Sequence, residues 1–239
     1  RIDMGIGRAT TGPVSDIALQ RNRSFRQTSD DSADQLSELL NWMNDSFDVS
    51  NAFSQTKVYK DNSIPDFWLL GSSQWSSMAA AQNGLRYSFA GFINPAQSFQ
   101  ITENYRRFFK PSNKATGIQK PELILSFHIY CAPTDEEAAK MSAPVQLMLR
   151  RLMTGDINSL PEDEETAVGL LGGLKEPVQM TNPYQPPQIL AGTPEKIFRW
   201  LSEIADVFCA DEIMVQCVTA NHESRLKSHK LLAQTFGKC

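Results

Sequence analysis

The sequence has no basic excess. In 239 residues, 23 Lys and Arg stand against 27 Asp and Glu, for a formal net charge of −4. A dedicated nucleic-acid binder shows a basic patch and a high pI, so that class is set aside. No apolar run approaches the ~20 residues a membrane helix needs, so no membrane partner is expected. Cysteine is scarce: Cys131, Cys209, Cys217 and Cys239 include no C-x-x-C pair. Neither a zinc ribbon nor a disulfide framework is indicated, and a reducing, cytoplasmic compartment is expected. Arg1-Ile2-Asp3 runs straight into a strand-like segment, so no signal peptide is expected, and the first methionine is Met4. H-E-x-x-H, G-x-S-x-G and a kinase-type D-F-G set are also missing.

What is present is an ordinary globular composition, 41% hydrophobic with 13 glycines. Its apolar pattern alternates between two periods. Ile2–Gly7 reads as a short strand. Ser32-Ala33-Asp34-Gln35 is a capping box for a helix that buries Leu36, Leu39, Leu40 and Met43. Phe67-Trp68-Leu69-Leu70-Gly71 suits a strand covered on both faces, followed by a helix from Ser72-Ser73 to Asn83-Gly84. Tyr87 to Phe92 is a third strand. Asn94-Pro95 opens a helix that stops before Pro111, and Leu123 to Cys131 is the longest strand. Thr134-Asp135-Glu136-Glu137 caps a helix to about Met153.

Residues 156–192 hold five prolines and the acidic run Glu162 to Glu165, and read as a long loop with short helical pieces at most. Thr193-Pro194 then opens a helix with Ile197, Trp200, Leu201 and Ile204 inward. Glu212 to Val218 is a fifth strand. A last helix over 221–236 places Leu226 and Leu232 on its buried side. Strands alternating with helices predict an α/β fold with a parallel sheet, in a single domain, 1–239. A doubly wound sheet and a partial (β/α)8 barrel both satisfy the pattern.

In parallel α/β folds ligands sit at the carboxyl ends of the strands. The first strand ends at Gly7-Arg8-Ala9-Thr10-Thr11-Gly12, which is neither a P-loop nor G-x-G-x-x-G. Arg8 can fork onto a phosphate or carboxylate there, or hold a surface ion pair. The second strand ends at Gly71-Ser72-Ser73-Gln74-Trp75-Ser76-Ser77, a helix start crowded with hydroxyls and free of carboxylates. Such a terminus offers unpaired N–H groups and the positive end of the helix dipole to an external anion. A serine cap with spare polar neighbours is the plainer explanation. Trp68 and Trp75 flank this position, Trp68 as a core residue by preference. His128 in an apolar strand reads as a core histidine, His222 and His229 as exposed helix residues. No catalytic acid, base or nucleophile stands out.

These segments resemble a known family. Arg1-Ile2-Asp3-Met4-Gly5-Ile6-Gly7-Arg8-Ala9 resembles the fourth-strand motif of the bacterial luciferase-like monooxygenases. Trp68-Leu69-Leu70-Gly71-Ser72-Ser73, with the helix ending Asn83-Gly84-Leu85, resembles their fifth strand and phosphate-binding helix. Ala191-Gly192-Thr193-Pro194-Glu195, Asp211-Glu212-Ile213-Met214-Val215 and Asn221–Ser228 resemble the lead-in to the eighth strand, that strand, and the start of the last helix.

The resemblance implies a (β/α)8 TIM barrel, of which this chain covers roughly strands four to eight. It implies FMN as cofactor, with Arg8, Thr10, Ser72, Ser73 and Ser76 at its phosphate. It further implies reduced flavin from a partner reductase, molecular oxygen and a small organic substrate. The family's acidic-His-His segment and its cis peptide, on strands two and three, have no counterpart in these residues. An inert FMN-binding relative is therefore a rival, and an unrelated enzyme with a phosphorylated substrate a more distant one. Residues 156–192 are expected to act as a lid. Open parallel edges at Ile2–Gly7 and Glu212–Val218 predict self-association, so a homo-oligomer is expected.

Overall fold

The computed structural model describes residues 2–8, 31–56, 64–156 and 161–237. The Gly-rich turn after Arg8, Thr10 within it, and part of the expected lid lie outside those residues. The chain divides into two compact units. One comprises residues 1–88 and 103–122, the other 89–102 and 123–239.

In the first unit, β1 (Asp3–Gly7) pairs in parallel with β2 (Asp66–Gly71), with Gly5 opposite Trp68 and Gly7 opposite Leu70. The glycines let the side chains of β2 lie close over β1, since a Cβ on Gly5 would stand 2.9 Å from a Leu70 methyl. Phe67, Trp68 and Leu69 are buried, as a two-faced strand requires. Helix α1 (Ser32–Asn44) buries Leu36 and Leu40. Its N-cap is Asp31, not the expected Ser32. Asp31 makes no side-chain cap bond to the first-turn amides; instead its carboxylate accepts from the Gln35 side-chain amide at 2.6 Å.

Helix α2 (Gln74–Asn83) ends at Gly84, whose φ of 64° is left-handed. A Cβ there would lie 2.6 Å from the Lys110 carbonyl oxygen, so the position needs glycine twice over. Strand β3 (Arg86–Ala90) begins in this unit. Arg86 donates to Glu122 at 2.6 Å and pairs with Asp66 at 3.1 Å, tying the starts of β2 and β3 to the chain before the next strand. The buried Tyr105, near the end of α3 (Ser98–Arg107), donates to the carbonyl of Leu85 at 2.8 Å.

In the second unit, all nine residues of β4 (Leu123–Cys131) are buried. The first half of β4 pairs in parallel with β6 (Glu212–Gln216), ending at His128 opposite Gln216. Its last residues pair in parallel with β5 (Ile189–Gly192). Strand β5, which was not expected, falls inside the segment expected to be loop. Four residues carry too little periodicity to announce a strand, and the carboxyl end of β4 supplies the pairing that makes one. Helix α4 (Asp135–Met153) is capped by Thr134 and packs Ala138, Met141 and Val145 against Tyr130. Helix α5 (Glu164–Leu170) starts at the Asp163 cap, also within the expected loop.

Helix α6 (Pro194–Phe208) buries Ile197, Trp200, Leu201 and Ile204, as the spacing predicts. Lys196 bridges to Asp135 at 2.8 Å, joining the starts of α6 and α4. Helix α7 (His222–Thr235) buries Leu232, but Leu226 is 54% exposed. Ser228 turns inward instead, where its hydroxyl accepts the Cys131 amide at 2.9 Å. The pairings of β1 with β2, of β4 with β5 and of β4 with β6 are all parallel, and the α/β expectation stands. No helix among the described residues is long and apolar enough to cross a membrane.

Candidate functional site

The site lies in the first unit, where β1 and β2 end side by side. Because Gly7 stands opposite Leu70, the register carries Arg8 beside the turn that starts at Gly71. Arg8 is exposed, and its guanidinium lies over the Trp75 ring, 4.8 Å from the centroid. Ser72 and Ser73 are half-buried in the turn.

Ser73 is the N-cap of α2. Its hydroxyl accepts the Ser76 amide at 3.3 Å, while the Ser76 hydroxyl accepts the Ser73 amide at 3.3 Å, a reciprocal box. The amides of Gln74 and Trp75 begin the helix and have no partner within it. No acid occupies the first turn. The local electrostatics are therefore a guanidinium beside the positive end of a helix dipole, with nothing of opposite charge supplied by the helix itself.

Ser76 is not at the surface of this arrangement. It is 3% exposed, donates to the Ser73 carbonyl at 2.8 Å, and lies 3.0 Å from the Tyr87 hydroxyl. Tyr87 in turn donates to the Gly71 carbonyl at 3.2 Å. Burial pushes the Tyr87 phenol well above its ordinary range, so it stays a neutral donor. The turn is thus held from beneath by polar groups. Tyr87 carried no signal beyond its strand alternation, and its hydroxyl contacts are set by tertiary folding alone.

Of the residues expected at a phosphate, Arg8, Ser72 and Ser73 come together at one strand end. Ser76 supports them from inside, and Thr10 lies outside the described residues. Trp68 is core at 9% exposure, under Arg86, with its indole N–H buried and unpartnered. In the second unit, His128 is 2% exposed and its Nδ1 has no partner. Burial pushes its pKa down to about 4, so the imidazole is neutral, as a core histidine should be. His222 is exposed against Arg225 at 2.7 Å, and His229 is half-buried.

No family model matches the sequence. A luciferase-like monooxygenase of Escherichia coli strain K12 is 31% identical over 240 residues, covering 97% of this chain and 66% of that protein. The crystal structure of apo-MsnO8 superposes with a TM-score of 0.81 at 30% identity, covering all of this chain and 69% of that one. The oxygenating constituent of 3,6-diketocamphane monooxygenase from Pseudomonas putida, solved with FMN, has a TM-score of 0.54 at 14% identity. It covers 98% of this chain and 70% of that one, a likeness of fold alone. The chain spans 66 to 70% of the length of the curated relatives it matches.

Proposed function

Because this chain belongs to the luciferase-like monooxygenase family, whose fold it has, we propose that it is the phosphate-binding portion of a flavin-dependent monooxygenase that uses reduced FMN and molecular oxygen on a small organic substrate. The single observation that carries the FMN assignment is the acid-free start of α2 beside Arg8. A phosphate monoester is a dianion, and this corner offers it helix-terminal amides, two serines and a guanidinium. The residues therefore fit the group.

In this reading β1, β2, β3, β4 and β6 correspond to strands four to eight of the barrel, with β5 an addition to the end of β4. Arg8 forks onto the phosphate oxygens. Ser72, Ser73 and the amides of Gln74 and Trp75 donate to them. Thr10 is assigned to the same phosphate through its place in the motif. Ser76 keeps the Ser73 cap in place and so holds the first-turn amides in one orientation. Reduced flavin, when bound, supplies the electrons for oxygen activation, delivered by a separate reductase. The FMN complex of the diketocamphane enzyme and the names of the relatives support the cofactor and the reaction class.

The test is a titration with FMN and with riboflavin, which lacks the phosphate. FMN is expected to bind at least about tenfold more tightly, as charge-assisted bonds of this kind imply, and Arg8→Ala to abolish the difference. Equal affinity for the two flavins in a folded protein would refute the phosphate site. Turnover of reduced FMN in the presence of oxygen separates a working monooxygenase from an inert flavin binder.

A further inference from the structure

We infer that Trp75 is a positioning residue that sets the Arg8 guanidinium against the start of α2 and thereby makes the site select a phosphorylated ligand. The inference rests on the phosphate assignment above. Trp75 does two things at once. Its backbone N–H is one of the first-turn amides without a helical partner, and its ring lies under the guanidinium at 4.8 Å. The charged donor and the amide donors are thus fixed to each other by one residue.

The ring is half-buried, and with Leu36 and Leu40 of α1 and Ala79 of α2 it lines a small cavity of about 120 Å³. A long, flexible arginine loses much rotamer freedom when it clamps an anion, and a flat aromatic face beneath it removes part of that loss in advance. The guanidinium plane that stacks on an indole keeps its N–H edges pointing outward, where an oxyanion can take two of them. Lysine at position 8 could lie over the ring but has no planar fork to present two N–H groups to one oxyanion.

The experiment compares FMN and riboflavin affinities in wild type, Trp75→Leu, Trp75→Phe, Arg8→Ala and the double variant Arg8→Ala with Trp75→Leu. Leucine keeps an apolar side chain on the cavity wall shared with Leu36 and Leu40 but has no π face, so the fold should hold while the platform is lost. Circular dichroism checks that. A cation–π contact at an exposed guanidinium corresponds to roughly a two- to fivefold change in affinity. Trp75→Leu should therefore bind FMN about two- to fivefold more weakly with riboflavin unchanged, and Trp75→Phe should recover most of the difference. The double variant should lose no more than Arg8→Ala alone, since both changes remove one interaction. A wild-type preference for FMN that survives Trp75→Leu would overturn this inference and leave the phosphate site standing. No preference in the wild type would remove both.

Discussion

The Ser76 and Tyr87 hydroxyls stand 3.0 Å apart, behind the turn that carries Ser72 and beside which Arg8 lies. Between them they have two protons for three contacts: the Ser73 carbonyl, the Gly71 carbonyl and each other. The turn is thus braced by a neutral pair of hydroxyls. Tyr87→Phe removes one proton and leaves the Gly71 carbonyl short of a donor. The expected cost is about 1 kcal/mol in urea denaturation. FMN affinity should fall only a few-fold, because the outward donors remain.

Gly71→Ala should do more damage than its size suggests. The new methyl would meet the Ser76 Oγ directly and lie 2.6 Å from its Cβ, and Ser76 cannot yield without breaking the box with Ser73. Overpacking of this kind costs roughly 1–3 kcal/mol. A lowered denaturation midpoint together with loss of the FMN-over-riboflavin preference is the expected pair of results. An unchanged preference would show that the box does not shape the anion site.

Arg8→Ala removes an exposed side chain at the end of β1 and, with it, the contact over the Trp75 ring. Charge-assisted hydrogen bonds contribute roughly 1.5–3 kcal/mol, so FMN binding should weaken by at least about tenfold. The loss of stability should not exceed what an exposed cation–π contact contributes, roughly 0.5–1 kcal/mol. Raising the salt concentration should weaken wild-type binding more than that of Arg8→Ala, because screening acts on the guanidinium.

His128 gives the second unit a defined pH dependence. Its pKa is about 4 in the folded chain, below the ordinary 6.5. Well above pH 6.5 neither state is protonated there. As pH falls from 6.5 towards 4, the unfolded chain takes a proton that the folded chain refuses, so folding stability is lost over that window. The full effect is about 3 kcal/mol for a shift of this size. Urea midpoints of wild type and His128→Asn, followed from neutral pH down to about 4, should diverge in slope, with the variant flatter.

Helix starts were legible because capping chemistry is local. Thr134 and Thr193 cap where their sequences say, Ser73 does so with Ser76 as its partner, and Asn221, expected as the first residue of the last helix, is its cap. Two starts were displaced: Asp31 is the N-cap in place of Ser32, and a 3-10 turn over Pro95–Gln97 follows Asn94, so that the α-helix begins only at Ser98. Strand β5 was illegible because its ladder belongs to β4, far earlier in the chain. Leu226 misled for the opposite reason: an apolar side chain at a plausible helical position has no burial until a neighbour covers it, and it stays exposed.

The sequence by itself determined the parallel α/β order, the family likeness, and the two strand ends where an anion would be met, since motif residues and caps act within a few positions of each other. The tertiary structure alone decided how those residues divide their work. Ser76 faces inward because Tyr87, eleven residues on, offers it a hydroxyl. Arg8 lies over Trp75 because the register of β1 on β2 brings two distant segments to one corner. Contacts between residues far apart in the chain depend on how strands align and helices pack, and no local pattern encodes that distance.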